Sequence, residues 1–103
     1  MPKMAVIADA ETTLGFKAVG VDDFPYAQQN ELKAILAGIK DRDYSVVLID
    51  EDAYGQLKED LKSLEEAFAP AVVIIPSAGR KIGIAETHMK EIVQKAVGVK
   101  IGD

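Results

Sequence analysis

Three short runs of consecutive apolar residues lie along the chain: Met4 to Ala8, Tyr44 to Ile49 and Ala71 to Ile75. They are rich in β-branched residues and do not alternate between apolar and polar positions. Because a strand covered by helices on both faces has no solvent-facing side, such runs predict buried strands of a parallel sheet. A weaker segment from Val21 to Tyr26 contains Pro25, which favours an edge strand. The pattern therefore predicts four strands.

Helical periodicity fills the segments between these runs. A short helix from about Glu11 to Val19 is predicted to end at Gly20, which can adopt the left-handed conformation that closes a helix. Three further stretches place apolar residues on one stripe at helical spacing: Leu32, Ile35, Leu36 and Ile39; Leu57, Leu61, Leu64 and Phe68; and Met89, Ile92, Val93 and Ala96. Strands and helices thus alternate, which predicts a small Rossmann-like α/β fold. We expect a three-layer sandwich of about four mainly parallel strands and four helices.

Length and composition fit one globular domain. The 103 residues are 49% apolar and 28% charged, so we expect a single α/β domain over residues 1–103, with 98–103 as a short C-terminal tail. The chain has no cysteine, which excludes disulfides and thiolate metal ligands and favours a reducing compartment. The apolar run at the start is too short for a signal peptide or a membrane span, so we expect a cytoplasmic protein.

The net charge of −5 argues against nucleic-acid binding, which needs clustered Lys and Arg. The charge is distributed unevenly. Residues 41–66 hold nine acids and three bases, whereas residues 77–103 hold five bases and three acids. Such a split can steer docking onto a partner protein, although an acidic solvated face is the commoner explanation.

Acidic residues follow the predicted strands, where the ligands of open parallel sheets bind. They are Asp9, Glu11, Asp50, Glu51 and Asp52. Clustered carboxylates can hold a divalent cation. The same placement suits helix capping, because Asp50 and Asp9 would accept hydrogen bonds from the free amides of the helices that follow them. We favour capping and expect no metal site.

Other candidate chemistry is weak. Neither a Walker sequence nor G-x-G-x-x-G occurs, so no nucleotide or other cofactor site is predicted. Residues 77–83 combine glycines with Arg80 and Lys81, which suits an anion-binding concavity, but a solvated loop is the preferred interpretation. With His88 as the only histidine, a hydrolytic triad is not expected. Nothing in the pattern assembles a nucleophile, a base and an oxyanion site together.

The acids after the first and third strands also resemble those of bacterial receiver domains, which would make Asp50 a phosphoacceptor. The match is partial. Receivers have adjacent acids after the first strand, whereas Ala10 separates Asp9 from Glu11 here. They also have a Lys after a fifth strand, and only four strands are predicted. A receiver-type signalling domain with a receiver-like topology is the alternative function.

A second resemblance covers nearly the whole chain. The run from Ala5 to Gly20 resembles the opening of the F subunit of the V-type and A-type rotary ATPases, in which a strand ending in an acid leads to Thr-x-x-Gly-Phe and a helix closed by Gly. The matching positions are Thr12, Gly15, Phe16, Ala18 and Gly20. Residues 47–49 with the acids after them, residues 75–77 and residues 92–101 are similar too. Residues 21–29 and 54–69 carry no motif of this family.

This resemblance implies a non-catalytic subunit of the central stalk of a V/A-type ATP synthase. Its expected partners are the coiled-coil D-type subunit and the catalytic A/B ring, with no nucleic acid and no membrane insertion. The chain would be peripheral to the membrane and would help to couple ATP hydrolysis or synthesis to ion translocation. One hypothesis is that the basic C-terminal helix and the alternating tail contribute to docking, through Lys90, Lys95, Val99, Lys100 and Ile101. The alternative, in which the tail packs back on its own domain, stays open.

Overall fold

A computed structural model of the chain describes residues 3–66, 70–77 and 93–95. Strands and helices alternate along it as the apolar pattern predicts. The elements are β1 (Met4–Ala8), α1 (Ala10–Lys17), β2 (Asp22–Pro25), α2 (Leu32–Lys40), β3 (Val46–Asp50), α3 (Glu51–Glu66) and β4 (Ala71–Ile75). A 3-10 turn at Gln29–Glu31 precedes α2, and residues 93–95 are helical.

All strand pairs are parallel, and the order across the sheet is β2-β1-β3-β4. The two central strands are buried on both faces, as their unbroken apolar runs predict. The α/β sandwich is confirmed. β1 and β4 have the predicted bounds, and β2 lies at the predicted edge.

The bounds of β3 differ from the prediction by one or two residues. The strand starts at Val46 rather than Tyr44, because the amides of Ser45 and Val46 both donate to the Lys3 carbonyl, at 2.7 and 3.3 Å, before the regular ladder begins. It extends to Asp50, which pairs in register with Ile75. The expectation that β4 is buried on both faces is wrong, since Ile74 is 50% exposed. A run of consecutive apolar residues does not distinguish a central strand from an edge strand.

Each face of the sheet carries its own apolar cluster. On one face α2 and α3 pack through Leu32, Leu36, Ile39, Leu57 and Leu61 onto the side chains of β1 and β3. On the other face, Phe16 of α1 packs against Val6 and Leu48, and Val93 joins this cluster. The helical stripes therefore face the sheet as predicted, although Phe68, Met89, Ile92 and Ala96 lie outside the described residues.

Local signals explain where the elements begin and end. The carboxylate of Asp9 accepts from the Thr12 amide at 3.1 Å and from its hydroxyl at 2.7 Å, which caps α1. Past α1, Gly20 has a φ of +97°, a conformation that side-chain-bearing residues rarely adopt. The Glu31 carboxylate accepts from the amides of Gln28 and Ala27 ahead of α2, and these bonds lower its pKa. The predicted cap of α1 is confirmed, and Gly20 adopts the predicted left-handed conformation, but α1 ends at Lys17 rather than Val19, with residues 18–20 forming a turn.

Candidate functional site at the carboxyl edge

The four parallel strands end at one edge of the sheet, which is where open α/β sheets bind ligands. Asp9 follows β1, Tyr26 follows β2, Asp50 ends β3 and Ser77 lies two residues after β4. We call these four residues the carboxyl-edge cluster. The contacts of their side chains determine whether this edge can bind a ligand or support a reaction.

Asp50 is the most buried member of the cluster, with 2% of its surface exposed. Because α3 begins at the next residue, the carboxylate turns back onto the first turn of the helix and Oδ1 accepts from the Ala53 amide at 2.8 Å. This is the capping role predicted for Asp50. Burial raises the pKa of Asp50, and the hydrogen bonds from Ala53 and Tyr26 oppose that rise.

Tyr26 covers the Asp50 carboxylate. Its hydroxyl lies 3.0 Å from Oδ1 and 3.1 Å from Oδ2 of Asp50. To reach them, the ring passes from the end of the edge strand β2 over the end of β1. Burial, followed by the neighbouring charge of Asp50, raises the pKa of the Tyr26 hydroxyl far above its ordinary value. The hydroxyl therefore stays protonated at physiological pH and acts as a donor, not as a base.

Ser77 lies on the β4 side of the carboxyl edge and is also buried. Its hydroxyl oxygen accepts from the Asp52 amide at 3.2 Å, and its own amide lies 3.5 Å from Oε1 of Glu51. The amides of Asp52 and Ala53 in the first turn of α3, which an anion would otherwise contact, are thus bonded to the protein's own oxygens. Ser77 ties the exit of β4 to the start of α3.

This arrangement is unsuited to phosphoryl transfer to Asp50. A phosphoacceptor has to present a carboxylate oxygen to solvent and to a bound cation, whereas Asp50 is only 2% exposed, Oδ1 accepts from the Ala53 amide, and the single Tyr26 hydroxyl proton lies between Oδ1 and Oδ2. Within residues 3–66, 70–77 and 93–95, no three His, Cys, Asp or Glu side chains converge as they would around a metal ion. The geometry argues against the receiver alternative.

Most of the basic segment predicted to dock lies outside the described residues. This holds for Arg80, Lys81, His88, Lys90, Val99, Lys100 and Ile101. Lys95 is described and exposed, while Val93, two positions earlier on the same helical stretch, packs toward the sheet. That orientation agrees with the predicted apolar stripe, and the docking role of Lys95 stays a prediction.

Two features of the surface have no signal in the local sequence pattern. No local pattern in the sequence links Tyr26 to a carboxylate 24 positions away. Leu14 on α1 and Ile74 on β4 are exposed large apolar residues, at 66% and 50%. Their exposure depends on helix orientation and strand order, which apolar periodicity alone does not supply.

Among the described residues, no helix has the length and apolar character needed to cross a membrane.

The fold defines a small Rossmann-like α/β protein in which, among the described residues, side chains at the usual ligand-binding edge bond to the protein itself. The family described as ATP synthase (F/14-kDa) subunit matches the chain over residues 4–93. This match covers most of the 103 residues, and the chain belongs to that family.

Individual relatives agree with this assignment. The F subunit of a V-type ATP synthase from Clostridium botulinum (strain Eklund 17B / Type B) is 33% identical over 99 residues, covering 96% of each chain. Its counterpart from Fusobacterium nucleatum is 33% identical over 101 residues, covering 98% of this chain and 96% of the relative. The F subunit of an A-type ATP synthase from Methanococcoides burtonii is 28% identical over 101 residues, covering 96% of this chain and 97% of the relative. The resemblance predicted from residues 5–20 is confirmed.

Proposed function

We propose that this chain is a non-catalytic central-stalk subunit of a V/A-type ATP synthase. It docks on the coiled-coil D-type subunit inside the catalytic A/B ring and couples ATP hydrolysis or synthesis in the ring to ion translocation. The observation that carries the proposal is the family match over residues 4–93. The relatives, named as F subunits of V-type and A-type ATP synthases, align over nearly their whole length.

The carboxyl-edge cluster supports a role without catalysis. In the cluster, Asp50 and Ser77 are buried and bonded to α3, and Tyr26 donates to Asp50. A nucleophile, a base and an oxyanion site would have to converge on a substrate for catalysis. The cluster instead converges on the protein itself. We propose that nucleotide binds to other subunits of the complex.

The charge distribution supports a role by contact. The acids of residues 41–66 and the bases of residues 77–103 give the chain two segments of unlike charge, and such segments steer association with oppositely charged patches.

We propose that the chain is a single domain, is cytoplasmic and is peripheral to the membrane as part of the soluble sector. An interface that survives torque should bury about 1,200 Å² or more in total.

A co-expression experiment tests this function. The tagged chain is produced with the D-type subunit, with and without the A and B subunits, and complexes are separated by size-exclusion chromatography. We expect the chain to co-elute with the D-type subunit and then with the ring. Elution of the chain alone in both cases would overturn the proposal. Incubation with a small phosphodonor and Mg²⁺ should leave its mass unchanged, and a mass gain lost in Asp50→Asn would favour the receiver alternative.

The predicted contact residues are tested on the same complex. We propose that Lys90, Lys95, Val99, Lys100 and Ile101 contribute to docking. Truncation after Gly98 removes the last three, and Lys95→Glu reverses an exposed charge. The matched control is Lys33→Glu, which reverses an exposed lysine on α2, away from this helical stretch. Weaker binding by the truncation and by Lys95→Glu, but not by the control, supports the assignment, and unchanged affinity removes these residues from the interface.

A further inference from the structure

Residues 22–31 are the longest stretch of the described chain without a buried residue. They comprise the edge strand β2, the residues after it and the 3-10 turn before α2, and we call them the edge segment. The residues on either side are anchored, because Val21 and Leu32 are 3% and 1% exposed and belong to the two apolar clusters. Burial of apolar surface therefore holds the edge segment less firmly than it holds its neighbours.

The backbone ladder of the edge segment is short and one-sided. β2 pairs with β1 alone, and the Tyr26 amide donates to the Ala8 carbonyl at 3.0 Å. Because backbone groups alternate in direction along a strand, Phe24 also faces β1, whereas Asp23 and Pro25 face away from the sheet. A charged residue and a proline at these positions suit an edge strand. Few backbone hydrogen bonds thus hold the segment.

Two hydrogen bonds between a tyrosine and an aspartate fasten the ends of this strand. At the amino end, the Tyr44 hydroxyl donates to Oδ2 of Asp22 at 2.7 Å. At the carboxyl end, the Tyr26 hydroxyl donates to the carboxylate of Asp50. Between them, the rings of Phe24 and Tyr44 meet edge to face with centroids 5.9 Å apart. Both bonds pass over β1 and join the edge segment to β3 or to the residues that precede it.

The edge segment has the properties of a part of a fold that opens locally. Local opening occurs in contiguous units with few buried apolar contacts and exposed backbone hydrogen bonds, at free energies below that of global unfolding. Ten extended residues span about 33 Å, whereas a five-residue strand is about 17 Å long. The segment is therefore long enough to leave β1 while Val21 and Leu32 stay in place.

We propose that residues 22–31 detach from β1 as one unit while the rest of the sheet stays folded, and that the two Tyr–Asp hydrogen bonds oppose this detachment. Detachment moves Tyr26 away from Asp50 and so uncovers the buried carboxylate of the carboxyl-edge cluster. The edge segment thus controls access to the edge where open α/β sheets bind ligands. This inference concerns the free chain and does not depend on the proposed function.

Native-state hydrogen exchange in increasing urea tests the opening. The reporters are the amides of Phe24 and Tyr26, and the reference is the central strand β3, through the amides of Val47, Leu48 and Ile49. We expect the reporters to exchange at least about tenfold faster than the reference. Their urea dependence should be weaker than that of the reference but not zero, because detachment exposes part of the surface that global unfolding exposes.

Variants of the two bonds test what holds the segment. Tyr44→Phe and Tyr26→Phe each remove one hydroxyl, and each should speed exchange of the Phe24 amide about tenfold. The matched control is Tyr54→Phe, at a partly buried tyrosine of α3, which should leave that rate within about twofold.

A core variant separates detachment from global unfolding. Leu61→Ala removes a fully buried side chain of α3, so it should speed exchange of the reference amides. It should leave the Phe24 and Tyr26 amides within about twofold, because α3 stays folded when the edge segment detaches. Leu64→Ala, at a partly buried leucine of the same cluster, replaces Leu61→Ala if circular dichroism shows that the latter does not fold.

Each outcome decides the proposal. Reporters that share the rate and the urea dependence of the reference detach only in global unfolding, and the proposal is then wrong. Exchange of the reporters that is independent of urea would also overturn it, because this indicates small fluctuations without detachment. The same holds if neither tyrosine variant speeds exchange of the Phe24 amide, or if the core variant speeds reporters and reference equally. Intermediate urea dependence, faster exchange in the tyrosine variants and unchanged reporters in the core variant together support it.

Discussion

The bond between Tyr26 and Asp50 is predicted to stabilise the fold measurably. Tyr26→Phe removes one hydroxyl and leaves the ring in place, so the change isolates the one hydrogen bond that this hydroxyl shares between the two oxygens of the buried carboxylate, at 3.0 and 3.1 Å. Hydrogen bonds to charged groups contribute about 1.5–3 kcal/mol. Asp50 keeps its bond from Ala53, so we expect a loss of about 2 kcal/mol. For a domain of this size that corresponds to a Tm lower by about 8–16 °C.

The pH dependence provides a second readout of the same bond. The Tyr26 hydroxyl lowers the pKa of Asp50, whereas burial raises it, so Tyr26→Phe raises the folded-state pKa further. A carboxyl whose folded pKa lies above its unfolded value of 3.8 stabilises the fold least when it is ionised. The destabilisation caused by Tyr26→Phe should therefore grow as pH rises from about 4 toward neutrality.

Urea denaturation followed by circular dichroism measures both effects. The matched control is Tyr54→Phe, which removes a hydroxyl from a partly buried tyrosine packed on the same core face. No hydrogen bond of the described residues involves that hydroxyl, and we expect a change within about 0.5 kcal/mol. Equal stability of Tyr26→Phe and the wild type, or a difference that does not vary with pH, would refute the reasoning.

Three further changes probe the same structure, each by urea denaturation. Asp9→Ala removes the cap of α1 and should cost about 1 kcal/mol, with Asp9→Asn close to the wild type. Gly20→Ala places a side chain at a φ of +97°, where open space is available, so we expect a loss of about 1–2 kcal/mol from backbone strain alone. Asp50→Asn keeps an acceptor for Ala53 without a charge. The folded state binds the Asp50 proton more tightly than the unfolded state, so the free energy of unfolding of the wild type falls as pH rises above 3.8. The asparagine does not titrate, so the stability of Asp50→Asn relative to the wild type should increase as pH rises above 3.8.

Sequence patterns predicted those features that depend on neighbours along the chain. The runs at residues 4–8 and 71–75 became strands with the predicted bounds, and Asp9 became a cap, because buried strands and capped helices have local requirements. The pairing of Tyr26 with Asp50 spans 24 positions and depends on which strands are adjacent. Hydropathy does not encode strand order, so neither this bond nor the half-exposed Ile74 could be predicted.

The hydrogen bonds at the carboxyl edge affect how such a subunit would resist a mechanical force. In Rossmann-like proteins that bind ligands, the loops at this edge keep some freedom to admit them. Here Tyr26 joins the exit of β2 to the end of β3, and Ser77 joins the exit of β4 to the start of α3. These bonds connect the loops at the edge to strands and helices that are already packed. A force applied at β4 is then borne by the parallel ladder from β4 through β3 to β1, which is what the proposed stalk function requires of a subunit that acts by contact.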